Sequence, residues 1–167
     1  STNTSIAIFD GGTLRLSATI SIGGDALTEA IAKHRGINVS EAKILKQTKI
    51  HIVLDPAILA KDEFLQVLIP ILTALREEVD KYIEYWRQRF EHATSPQKLY
   101  ITGGDAAIPG LTEYFAHELG IHVEMGNPWA NITFPPKYVP SLPLRDSLRF
   151  VSTIGLWLKA TDEEHIV

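Results

Sequence analysis

Apolar residues alternate with polar or small ones at the start of the chain, the pattern of a β-hairpin. Ile6 and Ile8 precede the turn sequence Asp10-Gly11-Gly12, and a second alternating run follows it. Glycines between two alternating segments are a strong hairpin signal, because glycine tolerates the positive φ that such turns require. We therefore predict an antiparallel hairpin over residues 5–22.

After the hairpin the apolar spacing changes to steps of three and four residues, which predicts helices. Asp25 and Ser40 are the predicted N-caps of the first two. The longest candidate helix covers residues 62–90 and contains Pro70, which should kink it or mark a restart. Residues 49–54 (KIHIVL) lie between these helices, and their pattern is ambiguous: they could form an edge strand.

The second half of the chain reads as strand, helix, strand and helix. The predicted strands are residues 98–102 (KLYIT), of the buried parallel kind, and 121–125 (IHVEM). A helix with proline near its start and glycine past its end covers residues 108–120, and an amphipathic helix covers 144–159. A proline-rich surface segment separates them. Together these elements predict an α/β fold with a mixed sheet.

Composition narrows the class of protein. The 167 residues carry a net charge of −4 and no cysteine, which argues against nucleic acid as a partner and excludes disulfides and thiolate metal sites. No apolar run reaches the roughly 18 residues of a membrane span. The six histidines show no metal-ligand spacing, and no nucleophile–base pattern predicts a catalytic residue. The strand pattern begins almost at once, so we interpret Ser1 as the cut end of a longer protein.

Gly103 and Gly104 follow a predicted strand and precede a predicted helix. Such a turn lets the backbone approach a ligand closely, and the helix N-terminus favours anions. The alternative is a tight turn in which Asp105 or Thr102 caps the helix. Asp105 weighs against a nearby phosphate, since two like charges at this range repel by about 1–4 kcal/mol. We therefore expect Asp105 to point away and cap the helix.

Three segments in register resemble actin-like ATPases. They are ISIGGDALTEAIAKHRGINVSEAKILK, LYITGGDAAIPGLTEYFAHELGIHVEMGNPW and FVSTIGLWLK. The PilM family of type IV pilus assembly is the most similar, and the FtsA family of cell division comes next. The resemblance covers nearly the whole chain but only the second half of such a protein. It implies lobe II of an actin-like fold, with residues 1–37 and 98–167 forming a ribonuclease-H-like subdomain and residues 38–97 an inserted, mostly helical subdomain.

The same resemblance implies a nucleotide site in the intact protein, with ATP and Mg²⁺ as ligands. Lys46 matches a lysine that contacts ribose and adenine in the family, while Lys43 stands where the family has an acceptor glutamate. Exposed charges on a short helix remain the alternative for both lysines, and a frayed terminus for the first four residues. The implied cofactor-binding residues are Ser1, Thr2, Asn3, Thr4, Lys43, Lys46, Gly103, Gly104 and Asp105.

The implied function is that of an assembly protein at the cytoplasmic face of a bacterial inner membrane. It would bind membrane proteins of a pilus or secretion platform, with ATP as a structural or switching ligand. The intact protein would be at most a slow ATPase, and these residues alone would have no activity. Three alternatives stay open: a nucleotide-free scaffold, an FtsA-like division protein, and an actin-fold ATPase or kinase. Self-association is open as well.

Overall fold

The computed structural model describes residues 1–89, 96–135 and 139–163, and it confirms a mixed α/β fold. The strands are Thr4–Asp10 (β1), Thr13–Ile20 (β2), Lys98–Ile101 (β3) and His122–Met125 (β4). The helices are Gly24–Arg35 (α1), Val39–Lys49 (α2), Pro56–Leu59 (α3), Glu63–Arg89 (α4), Leu111–Leu119 (α5), Leu144–Ser147 (α6) and Val151–Glu163 (α7). Two 3₁₀ helices cover Gly104–Ala107 and Leu148–Phe150.

Strands β1 and β2 form the predicted antiparallel hairpin. Asp10 pairs with Thr13, so that Gly11 and Gly12 make the turn, with φ values of 56° and 78°. A two-residue turn with positive φ at both positions matches the twist of its strands, which explains the two glycines. The register shifts between Ile8 and Phe9, whose partners Leu16 and Leu14 leave one residue of β2, Arg15, without a partner in the ladder.

Strands β3 and β4 pair in parallel, which confirms the parallel type predicted for β3. The described strands therefore form two separate two-stranded sheets, one antiparallel and one parallel, instead of one continuous mixed sheet. The expectation that β3 is buried on both faces is wrong, because Tyr100 is 58% exposed. Leu99 and Ile101 face the core, while Lys98 lies over the Tyr100 ring on the outer face. A single covered face gives the alternation seen in half-buried strands.

The first two helices begin differently from the prediction. The N-cap of α1 is Gly23, without a side-chain hydrogen bond, so the expectation that Asp25 caps this helix is wrong. Asn38, not Ser40, caps α2: its side chain accepts from the Glu41 N–H at 2.9 Å, and Glu41 accepts in return from the Asn38 N–H. This reciprocal pair satisfies two helix-end donors, which a serine at position 40 could not do.

The ambiguous segment after α2 is not a strand. Helix α2 extends to Lys49, and residues 50–55 have no regular structure. Ile50 and Ile52 are buried, and the Ile52 N–H donates to the Pro109 carbonyl at 2.8 Å. The alternating pattern here reflects packing of an irregular segment into the core.

The long helix α4 runs as one element through Pro70, so the predicted restart does not occur. The Asp62 side chain accepts hydrogen bonds from the N–H groups of Phe64 and Leu65 at its start. Leu68 and Leu72, on either side of the proline, are buried. Core packing here outweighs the hydrogen bond that proline removes. Phe90, the predicted last residue, lies outside the described residues.

One large core joins α1, α2, α4, α5 and β4. Its fully or nearly buried members are Leu27, Ile31, Ala42, Ile50, Ile52, Leu65, Leu68, Leu72, Ile108, Leu111, Tyr114, Phe115 and Val123. A smaller cluster of Ile20, Val79 and Ile83 packs β2 against the second half of α4. The large core contains residues from both predicted subdomains, whose boundaries stay a prediction.

The predicted helix over residues 144–159 is divided into α6, a 3₁₀ turn and α7. Ser147 and Leu148, at the junction, are buried. By contrast, α7 is mostly exposed, with Leu156 at 71%. Residues 164–167 lie outside the described part. Among the described helices, none combines the length and apolar composition that crossing a membrane requires.

Candidate functional site

The glycine turn after β3 is tight and open to solvent. Gly103 has φ of 101°, in the region that favours glycine, and its N–H donates to the Leu148 carbonyl at 3.1 Å. A Cβ added at Gly103 or at Gly104 would meet nothing within 4 Å. Gly103 is therefore needed for its backbone conformation, and neither glycine is needed for close protein packing, so the turn leaves room on its outer side.

The helix after this turn differs from the prediction. Gly104–Ala107 form a 3₁₀ helix without a side-chain cap, and the α-helix begins later, at Leu111, with Gly110 as its N-cap. Pro109 therefore precedes the helix. The expectation that Asp105 or Thr102 caps it is wrong, because neither helix start has a side-chain cap and Asp105 is bound elsewhere.

The Asp105 carboxylate forms an ion pair with Lys46 of α2. The Lys46 Nζ lies 2.7 Å from Asp105 Oδ1 and also donates to the Gly24 carbonyl at 2.7 Å. The Lys46 side chain is 4% exposed, against 30% for Asp105. A buried ammonium is costly unless it is paired and hydrogen-bonded, so these two acceptors account for the burial of Lys46.

Gly24 makes this ion pair sterically feasible. A Cβ at Gly24 would lie 1.5 Å from Asp105 Oδ2 and 3.3 Å from Lys46 Nζ. The start of α1, the end of α2 and the glycine turn therefore meet at one point. Sequence reasoning did not place Gly24 in the site. A signal was available, since the tetrapeptide Gly-Gly-Asp-Ala occurs twice, at residues 23–26 and 103–106.

The first four residues lie against the start of α1. The Ser1 carbonyl accepts from the Asp25 N–H at 3.0 Å, and the Thr4 hydroxyl donates to the Ile22 carbonyl at 2.7 Å. A Cβ at Gly23 would lie 2.4 Å from the Ser1 oxygen and 2.7 Å from the Asn3 nitrogen. Hydrogen bonds thus hold the segment, and the missing Cβ of Gly23 lets it lie close to the start of the helix.

Charges converge at the same helix start. In these 167 residues Ser1 carries the terminal amino group, which donates to Asp25 Oδ1 at 2.9 Å and is the largest cause that lowers the pKa of Asp25. The charges of Lys46 and Lys43 lower that pKa further, while desolvation opposes them. Lys43 is exposed, one turn of α2 from Lys46.

The predicted cofactor-binding residues therefore gather around one place, but not as free ligands. Lys46 and Asp105 bind each other, residues 1–4 contact α1, and Gly103 and Gly104 stay open. Within the described ranges, no group of three His, Asp or Glu side chains is arranged to hold a metal ion. For a nucleotide, the turn offers space, whereas the Lys46 ammonium has two protein acceptors already.

A cleft of about 1000 Å³ lies elsewhere, between β1 and β3. Val79, Ile83 and Trp86 of α4 contribute to its lining, and Thr102 lies at its edge. Lys46, Gly103 and Gly104 do not line it. The cleft is therefore distinct from the cluster that the sequence predicts.

Comparison with known proteins gives a family and a fold. Residues 1–161 match the sequence model of a family described as type IV pilus assembly protein PilM. The comparison with curated proteins gives no significant match.

Two solved structures share the fold. A chain of the PilM-PilN type IV pilus biogenesis complex superposes with a TM-score of 0.76 and 24% identity, over 95% of this chain and 43% of that one. Ethanolamine utilization protein EutJ from Carboxydothermus hydrogenoformans gives 0.61 and 21%, over 94% of this chain and 45% of that one. The chain thus spans less than half the length of either structure, and at these identities the likeness shows the fold alone.

Proposed function

Because this chain belongs to the type IV pilus assembly protein PilM family, we propose that it is the second lobe of an actin-like protein that assembles a bacterial pilus platform at the cytoplasmic face of the inner membrane. The observation that carries this proposal is the family match, which extends over residues 1–161. The α/β fold described above agrees with it, since a chain of the solved PilM-PilN complex superposes on 95% of these residues.

The proposed partner is a membrane protein of the same pilus machine. PilM is found with PilN in the solved complex, which is the basis for proposing a protein partner here. Assembly proteins act through such contacts and need no catalytic residue. A related secretion platform is the nearest alternative setting, because the same type of scaffold would serve it.

ATP with Mg²⁺ is proposed as a ligand of the intact protein. The open outer side of the Gly103–Gly104 turn supports a ligand there, because the backbone can be approached without a side chain in the way. Lys43, exposed on α2, adds positive charge to the same region.

A nucleotide-free scaffold is the second candidate function. One observation favours it: Lys46, the lysine expected to contact the nucleotide, is buried and bound to Asp105 and Gly24. If the protein is such a scaffold, the contacts among Lys46, Asp105 and Gly24 have a structural role, holding α1, α2 and the glycine turn together.

The assembly function can be tested in a piliated bacterium that carries the intact protein. Deletion of its gene should abolish surface pili, and the tagged protein should co-purify from detergent-solubilised membranes with the PilN-type protein of that cell. The tagged variant Leu68→Asp, which places a charge at a buried core position, should lose both pili and partner. Normal piliation in the deletion strain would contradict the proposal.

A further inference from the structure

The two side chains of the Lys46–Asp105 ion pair differ in their exposure to solvent. The Lys46 side chain is 4% exposed and that of Asp105 is 30% exposed, so the carboxylate forms the solvent side of the pair. A ligand that comes from solvent to the glycine turn meets a negative charge before it can meet the ammonium.

The hydrogen-bonding capacity of Lys46 is also largely used within the chain. An ammonium group has three donors. Two protein acceptors, Asp105 Oδ1 and the Gly24 carbonyl, each lie 2.7 Å from Nζ. An anionic ligand could therefore gain the full interaction with Lys46 only by displacing Asp105.

Local packing holds Asp105 in this place. The absence of a side chain at Gly24 creates the space that Asp105 Oδ2 occupies, since a Cβ there would lie 1.5 Å away. The neighbouring turn, by contrast, is open at Gly103 and Gly104. The arrangement thus combines an accessible turn with a lysine whose charge is already neutralised.

We propose that Asp105 is a built-in counter-ion that keeps anionic nucleotides from Lys46, so that ATP binds tightly at this turn only when the Lys46–Asp105 pair opens. The proposal rests on the proposed function, because it takes ATP as the ligand class. It makes Asp105 a residue that determines specificity, setting whether the lobe works with or without nucleotide.

ATP·Mg²⁺ binding to the intact protein, measured by calorimetry, tests this. Asp105→Asn keeps the size of the side chain and removes its charge. It should raise ATP affinity about tenfold, which corresponds to about 1.4 kcal/mol. Glu29→Gln, an equal change of charge at an exposed position of α1, should change affinity less than twofold.

The possible results distinguish the proposal that Asp105 is a counter-ion from the proposal that ATP is a ligand. Equal binding by wild type and Asp105→Asn overturns the counter-ion and leaves ATP as a ligand. Binding by Asp105→Asn alone supports the counter-ion and rejects ATP as a ligand of the wild-type protein. No binding by either overturns the counter-ion, because Asp105 is then not what excludes ATP.

A second measurement uses the intact protein without nucleotide. Lysine acylation followed by mass spectrometry should leave Lys46 nearly unmodified while the exposed Lys43 reacts, and Asp105→Asn should raise Lys46 modification severalfold. Lys43 is the internal standard. If wild-type Lys46 reacts as fast as Lys43, the pair is open in solution and the proposal fails, whether or not the variant folds.

Discussion

Single residues decide the local geometry of the candidate site. Gly24 is required for steric reasons, because its missing Cβ leaves room for Asp105 to reach Lys46. The buried Lys46 ammonium then has two acceptors, Asp105 and the Gly24 carbonyl. Gly103, in contrast, is required by its backbone angle. Two glycines of the same repeated tetrapeptide therefore serve different physical roles.

Gly24→Ala is expected to lower the free energy of unfolding by about 2–3 kcal/mol, since the added Cβ forces Asp105 away and costs Lys46 a charged hydrogen bond. Urea unfolding of the purified chain measures this. The matched control is Gly155→Ala in α7, where a Cβ meets nothing within 4 Å, and which should stabilise by about 0.5–1 kcal/mol. Equal effects of the two substitutions would contradict this account of Gly24.

Elements of the chain follow their sequence patterns more closely in their middles than at their starts. The hairpin and α4 occupy the predicted stretches, because alternation and helical spacing repeat over many residues. Helix starts depend on which of several polar side chains reaches a free N–H. At α2, Asn38 and Glu41 achieve this together, and Ser40, two residues from Asn38, does not cap the helix.

Asn38→Ala should therefore lower the free energy of unfolding by about 0.5–2 kcal/mol, the usual effect of removing an N-cap side chain. Ser40→Ala, at the position that the sequence alone favours, should change stability by less than about 0.5 kcal/mol. Thermal unfolding monitored by circular dichroism compares the two variants directly. If Ser40→Ala lost more stability than Asn38→Ala, Ser40 would be the N-cap, as the sequence alone favours.

The whole molecule is organised around a core that crosses the predicted subdomain boundaries. Leu27 and Ile31 of the first part pack with Leu68 and Leu72 of the inserted part and with Phe115 of the last. Shared burial of this kind couples the parts energetically, so the described residues should unfold as one cooperative unit.

Leu68→Ala should lower the free energy of unfolding by about 2–5 kcal/mol and shift the whole transition. Hydrogen exchange read out separately for α1, α4 and α5 measures the effect in each part of the core. We expect the protection from hydrogen exchange to fall equally in the three helices. A loss confined to α4 would instead support an inserted subdomain that unfolds independently.

The sequence by itself determined the α/β class, the glycine hairpin turn, the positions of strands β3 and β4, and the residue types of the candidate site. These follow from periodic spacing and from glycine conformation, which act over a few neighbouring residues. Only the tertiary structure decided that Asp105 binds Lys46 and not a helix end, and that Gly24 belongs to the site. Lys46 lies on α2 and Asp105 after β3, far apart in the chain, and only the packing of α1 and α2 against the turn brings the two charges within 2.7 Å.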